Sequence, residues 1–120
     1  MMKPKINIKR VYEKPSLSDG YRILVDRLWP RGVSKEMAKI DLWEKNIAPS
    51  AALRRWFSHD PLLWMDFKMK YLSELRKNKL LPEIAELIRV KKTVTLVYAA
   101  KDTEHAHAIV LRAYLEKLCS

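Results

Sequence analysis

Residues 23–32, ILVDRLWPRG, carry apolar side chains on both faces of an extended chain, Ile23 and Val25 on one and Leu24 and Leu28 on the other. A strand patterned in this way has to be covered on both sides, which favours strands buried between helices over a half-solvated antiparallel sheet. The same run passes without a break into Asp26, Arg27, Trp29, Pro30, Arg31 and Gly32. Its carboxyl end therefore brings two guanidiniums and a carboxylate to the rim of the sheet it joins.

The rest of the chain supplies the covering layers. Residues 5–12 alternate as a strand with Ile6 and Ile8 on one face, and EKPSLSDG follows with turn chemistry. The second strand spans 21–29, and a weaker extended piece runs through 40–48. Helices then take over. Ser50 can cap AALRRWF, in which Leu53, Trp56 and Phe57 share a face and Arg54 and Arg55 point elsewhere. Asp60 and Pro61 restart a helix that reaches about Lys77. It has one stripe of Trp64, Phe67, Tyr71 and Leu75 and a second of Leu62, Met65, Met69 and Leu72. An arc this wide is expected to be wedged between layers, the alternative being a contact with another subunit. LPEIAELIRV forms a further helix, Thr93 to Ala99 a β-branched strand, and a last helix begins near Thr103. That helix gathers His107, Val110, Leu111, Tyr114 and Leu118 on one face. The pattern predicts one compact α/β domain over 1–120, with a small, mostly parallel sheet flanked by helices.

Bulk composition narrows the partners. The 120 residues carry 24 Lys and Arg against 14 Asp and Glu, a formal net charge of +10. The excess is spread along the chain, with 13 basic and 7 acidic residues up to position 60 and 11 and 7 after it. Such a field attracts polyanions and phosphate-bearing metabolites, although solubility alone also explains a basic surface. Cys119 is the only cysteine, which rules out an internal disulfide, suits a reducing compartment and reads as a thiol on a frayed tail. MMKPKINIKR is charged throughout and no run of 18 apolar residues occurs, so a cytoplasmic protein without a membrane span is expected, as a monomer or homodimer.

In open α/β sheets the ligand crevice lies beyond the carboxyl ends of the strands. DRLWPRG after the second strand and AAKDTEH after residues 93–99 deliver polar groups to such ends. If the two strands are parallel neighbours, Asp26, Arg27, Arg31, Lys35 and Lys101 converge on an anion site, suited to phosphate or carboxylate. The competing reading makes Asp26 and Arg27 internal partners, Pro30 and Gly32 a turn and Trp29 a core residue. Asp102 is a helix cap or an acid–base group. His107 is a satisfied core histidine or a catalyst. His105 and His107 lie on different faces of a helix, which argues against paired metal ligation, and no metal site is expected. With only Gly20 and Gly32, neither a P-loop nor a dinucleotide fingerprint can be built, and no cofactor is expected. Trp29 and Trp43 remain as accessible stacking candidates for bases.

The segments DGYRILVDRLWPRGVSKE, LWEKNIAPSAALRRWFSHDPLLWMDF and LVYAAKDTEHAHAIVL, taken together, resemble the YeaO-like family, classed as domain of unknown function 488. The resemblance covers nearly the whole chain and implies a single-domain α/β protein of prokaryotic type. Its pattern points to Asp26, Arg27, Pro30, Arg31, Gly32, His59, Asp60, Lys101 and Asp102, which adds HDP to the strand-end residues. Relatives often carry Asn between the two histidines where this chain has Ala106. The expectation is therefore an anion site that binds a nucleotide or nucleic-acid phosphate, with Asp102, His59 and His107 as candidate catalytic groups. Its rivals are non-specific nucleic-acid binding by the diffuse basic surface and a dimerising interaction protein without catalysis.

Overall fold

The computed structural model describes residues 3–120; Met1 and Met2, at the start of the charged amino terminus discussed above, lie outside the described residues. Four parallel strands, β1 (Lys5–Arg10), β2 (Tyr21–Leu24), β3 (Leu42–Trp43) and β4 (Thr93–Tyr98), form one sheet in the order β1-β4-β2-β3. The helices are α1 (Lys35–Ala38), α2 (Ala51–Phe57), α3 (Trp64–Lys77), α4 (Leu80–Lys91) and α5 (His107–Cys119). Single turns of 3-10 helix at Leu17–Asp19, Lys45–Ile47 and Pro61–Leu63 join them. This is a single α/β domain, parallel throughout.

The alternation read from β2 has its counterpart in two separate cores. Ile23 and Val25 join Val94, Leu96, Phe67, Tyr71, Leu111 and Leu115 on one face, while Leu24 packs with Val97, Val11 and Ala38 on the other. The larger core holds α3, α4 and α5. On the smaller side Arg22 is buried, and its guanidinium donates to Ala38 O at 3.1 and 2.8 Å and to Asp19 Oδ2 at 2.6 Å. Burial alone would raise the Asp19 carboxyl, but hydrogen bonds from Lys9, Ser16 and Arg22 outweigh it and hold the group at about 2.

Local capping set the helix starts. Ser50 Oγ accepts from Leu53 N, opening α2, and Asp60 Oδ1 accepts from Leu62 N ahead of Pro61. Several expected boundaries moved. β2 ends at Leu24 rather than 29, because the Asp26 carboxylate, and not a continuing ladder, takes up the next backbone donor of β4. The 40–48 piece contributes only Leu42–Trp43 before the chain coils into a 3-10 turn. The last helix starts at His107 rather than Thr103, since Asp102 closes a turn of the preceding loop by accepting from Glu104 N and His105 N.

Two further expectations fail. Leu62, Met65 and Met69 are 92 %, 68 % and 66 % exposed, so of the second stripe only Leu72 packs against the core and the stripe is not wedged between layers; the first, with Phe67, Tyr71 and Leu75, carries the burial. Cys119 is not on a frayed tail: it is half-buried against α4, with Sγ 3.6 Å from Ala85 O. Among the described residues no helix is long and apolar enough to cross a membrane.

Candidate functional site

β2 and β4 are neighbours whose continuations leave on opposite faces. After β2 the chain turns to α1, whose Ala38 packs with Leu24 and Val97; after β4 it turns to α5, whose Ala108 and Leu111 pack with the opposite core. A crevice opens between strands at such a reversal. Here it is a cavity of about 580 Å³ beyond the ends of β2 and β4.

Asp26 stitches the two strand ends together. Its Oδ2 accepts from Ala99 N at 2.9 Å, and its backbone carbonyl accepts from Trp43 Nε1 at 2.7 Å. Oδ1 has no hydrogen-bond partner and is the one buried side-chain polar atom in that condition among the described residues. His107 Nε2 lies 3.4 Å from Oδ1 and 3.1 Å from Val25 O. Both neighbours of Nε2 are acceptors, so that nitrogen carries the proton. Burial raises the Asp26 carboxyl and lowers the His107 imidazolium, each partly offset by the other.

The basic residues of the strand ends gather around this stitch. Arg27, Arg31 and Lys101 line the cavity together with Asp26, Asp102 and His59. Arg27 donates from Nε and Nη2 to Pro49 O at 3.3 and 3.2 Å and from Nη2 to Ala48 O at 3.4 Å, fixing the loop ahead of α2. Tyr12 donates to Arg31 O at 3.2 Å, and Arg10 braces the other lip through Ala100 O at 2.9 Å and Ala99 O at 3.2 Å. Lys35 heads α1, exposed, and is not among the residues that line the cavity. Among the described residues, Arg27, Arg31, Arg54 and Lys101 enter no ion pair, in contrast to Arg22 in the interior.

Trp29 and Trp43 brace the strand-end loop, and Trp43 stays exposed. Trp29 Nε1 donates to Val33 O at 2.6 Å, and Trp29 meets Trp43 edge-on at 5.5 Å between centroids. With the indole donors occupied, the pair clamps the DRLWPRG loop over the small core.

A second cavity of about 290 Å³ adjoins the first and shares Arg54, His59 and Ala100 with it. The chain's three histidines, His59, His105 and His107, all line it. His59 gets there through consecutive left-handed residues, Ser58 at φ 46° and His59 at φ 56°. His105 gets there through the Asp102 turn, with Nδ1 2.8 Å from Asp102 Oδ2, a contact that holds the Asp102 carboxyl below its usual range. Despite this gathering, no group of three or more potential metal ligands forms among the described residues. Arg54 was missed in the sequence; the available signal was its position off the Leu53–Trp56–Phe57 stripe, one turn after the Ser50 cap.

Residues 5–120 match the family model DUF488-N3i, described as the inactive DUF488-N3 subclade. The chain belongs to this family. The DUF488-N3i match agrees with the similarity to the uncharacterized protein YeaO of Escherichia coli, 44% identical over 117 residues, covering 94% of this chain and 98% of that one. Uncharacterized proteins Mb3100c of Mycobacterium bovis and Rv3073c of Mycobacterium tuberculosis are each 37% identical over 111 residues, 92% of this chain and 93% of theirs. No solved structure matches this DUF488-N3i chain.

Proposed function

We propose that the cleft beyond β2 and β4 binds a phosphate-bearing ligand, a nucleotide or a nucleic-acid phosphate, and holds it without turning it over. The observation that carries this reading is the set of cations without ion pairs, Arg27, Arg31, Arg54 and Lys101, around one cavity at the sheet's switch point. Arg27 spends Nε and Nη2 on the Pro49 and Ala48 carbonyls, whereas the Arg31 and Arg54 guanidiniums keep their donors for a charged ligand, and a fork of parallel N–H groups matches phosphate. Arg31 follows β2 and Lys101 follows β4, and Arg54 lines both cavities.

Binding is favoured over catalysis for two reasons. Asp102 is engaged with His105 and two backbone donors, and Asp26 holds Ala99 N through Oδ2 while its Oδ1 is buried, so neither acid presents a free, solvated carboxylate beside the arginines. The description of the family model as an inactive subclade supports the same choice. The single cysteine is in keeping with a cytoplasmic setting.

Isothermal titration with inorganic pyrophosphate and with a short single-stranded oligonucleotide tests the reading in the unmutated chain, Arg31→Ala and Lys101→Ala. Each variant should weaken binding by about tenfold, one charge-assisted hydrogen bond's worth. Unchanged affinity in both removes the proposal. The rival, a diffuse basic surface gripping nucleic acid, predicts a steep fall of log affinity with log salt, whereas one enclosed phosphate predicts a shallow one.

A further inference from the structure

The smaller cavity differs from its neighbour in chemistry. Its lining contains no carboxylate side chain. Phe57 and Phe67, nearly buried and stacked on each other at 4.3 Å between centroids, close its base, and three imidazoles and the Arg54 and Arg55 guanidiniums stand around it. Flat apolar and π-bearing walls favour a planar guest.

His107 sets what the guest must offer. Because Nε2 lies 3.1 Å from the Val25 carbonyl, an acceptor, it carries the proton, and Nδ1 of the neutral ring is left as an acceptor. Among the described residues Nδ1 has no partner, and Asp26 Oδ1 is the only buried side-chain polar atom without one, so Nδ1 is not closed off from solvent. The ring lines the cavity. Nδ1 as an acceptor rewards an N–H donor, and the Arg54 and Arg55 guanidiniums of the same lining suit the phosphate end of the same ligand.

We infer that this smaller cavity is a nucleobase subsite, in which a planar ring lies against Phe57 and Phe67 and donates an N–H to His107 Nδ1. The inference rests on the phosphate reading, since the base is tethered to the phosphate held by Arg31 and Lys101. Arg54 and His59 border both cavities, so one ligand can occupy the two at once. Every common base carries an exocyclic amine or a ring N–H, so this one acceptor distinguishes nucleotides from bare sugar phosphates more than it distinguishes bases from one another.

Titration calorimetry with inorganic pyrophosphate, ribose 5-phosphate, and adenosine and cytidine 5′-monophosphates tests it on the unmutated full chain. At least one monophosphate should bind about tenfold or more tighter than ribose 5-phosphate, the gain of one hydrogen bond plus ring burial. His107→Phe should bring that monophosphate down to the ribose 5-phosphate level and leave pyrophosphate affinity unchanged. Monophosphates that bind no tighter than ribose 5-phosphate overturn the subsite, and this comparison needs no variant, so a poorly folded His107→Phe does not block it. Pyrophosphate bound with no base preference sinks the subsite alone. Pyrophosphate and all nucleotides silent sink the subsite and the phosphate reading together. Nucleotides that bind and lose affinity in His107→Phe, with pyrophosphate silent, sink the phosphate reading and with it the tethered subsite.

Discussion

Asp26→Ala measures how far the site depends on the stitch between β2 and β4. The substitution removes the acceptor 2.9 Å from Ala99 N, leaving a part-buried backbone donor unpaired, which costs about 1–3 kcal/mol. It also removes a carboxylate whose Oδ1 is buried without a hydrogen bond, and relief of that desolvation returns part of the loss. The net expectation is a destabilisation of about 1–2 kcal/mol. Asp26→Asn keeps an amide oxygen for Ala99 N and loses less, at the expense of an amide N–H near His107 Nε2–H, 3.4 Å from the present oxygen. Urea denaturation followed by tryptophan fluorescence reads both. With a slope of about 2 kcal/mol/M, Asp26→Ala should lower the midpoint by about 0.5–1 M and Asp26→Asn by less. An alanine variant that unfolds with the native midpoint, or an asparagine variant weaker than the alanine one, refutes the role of the carboxylate in joining the strands.

Other consequences are open to direct measurement. The Asp19 carboxyl, held at about 2 against an ordinary 3.8, contributes stability that is fully present above about pH 4 and is lost as pH falls through its folded value. Acid titration of thermal stability should therefore show a loss between about pH 4 and 2 that Asp19→Asn flattens. Gly20 sits at φ 64°, and a Cβ there would run into the Thr93 carbonyl, so Gly20→Ala should lower the melting temperature by several degrees, about 1–3 kcal/mol in stability. On α3, Phe67→Ala should cost about 3–5 kcal/mol while Met65→Lys, on the exposed side, stays within about 0.5 kcal/mol. Sedimentation of Met65→Lys beside the unmutated chain checks the dimer alternative, which a monomer in both discards.

Features governed by near neighbours were legible in the sequence. Ser50 and Asp60 cap helices through donors within three residues, and the two-faced pattern of Ile23, Leu24 and Val25 is a property of one strand. Features governed by distant partners were not. The end of β2 depends on Asp26 accepting from Ala99 N, far along the chain, and periodicity has no access to that bond. Asp102 was read as a cap for the last helix, and it does close a turn, but one that places His105 and delays the helix to His107. Methionine and leucine spacing on α3 is the same for a buried and an exposed stripe, so Met65 and Met69 were misplaced. At the site, the strand-end rule singled out Arg27, Arg31 and Lys101 because each follows its strand directly. The same rule also picked Lys35, which the turn into α1 carries away from the cavity, and it missed Arg54, whose helix arrives from elsewhere in the chain.

The most direct measurement is a crystal of the protein soaked with pyrophosphate. Density between the Arg31 and Lys101 side chains, beyond the ends of β2 and β4, is the predicted result. Density confined to the outer surface of the helices, with that cavity holding only water, would contradict the account.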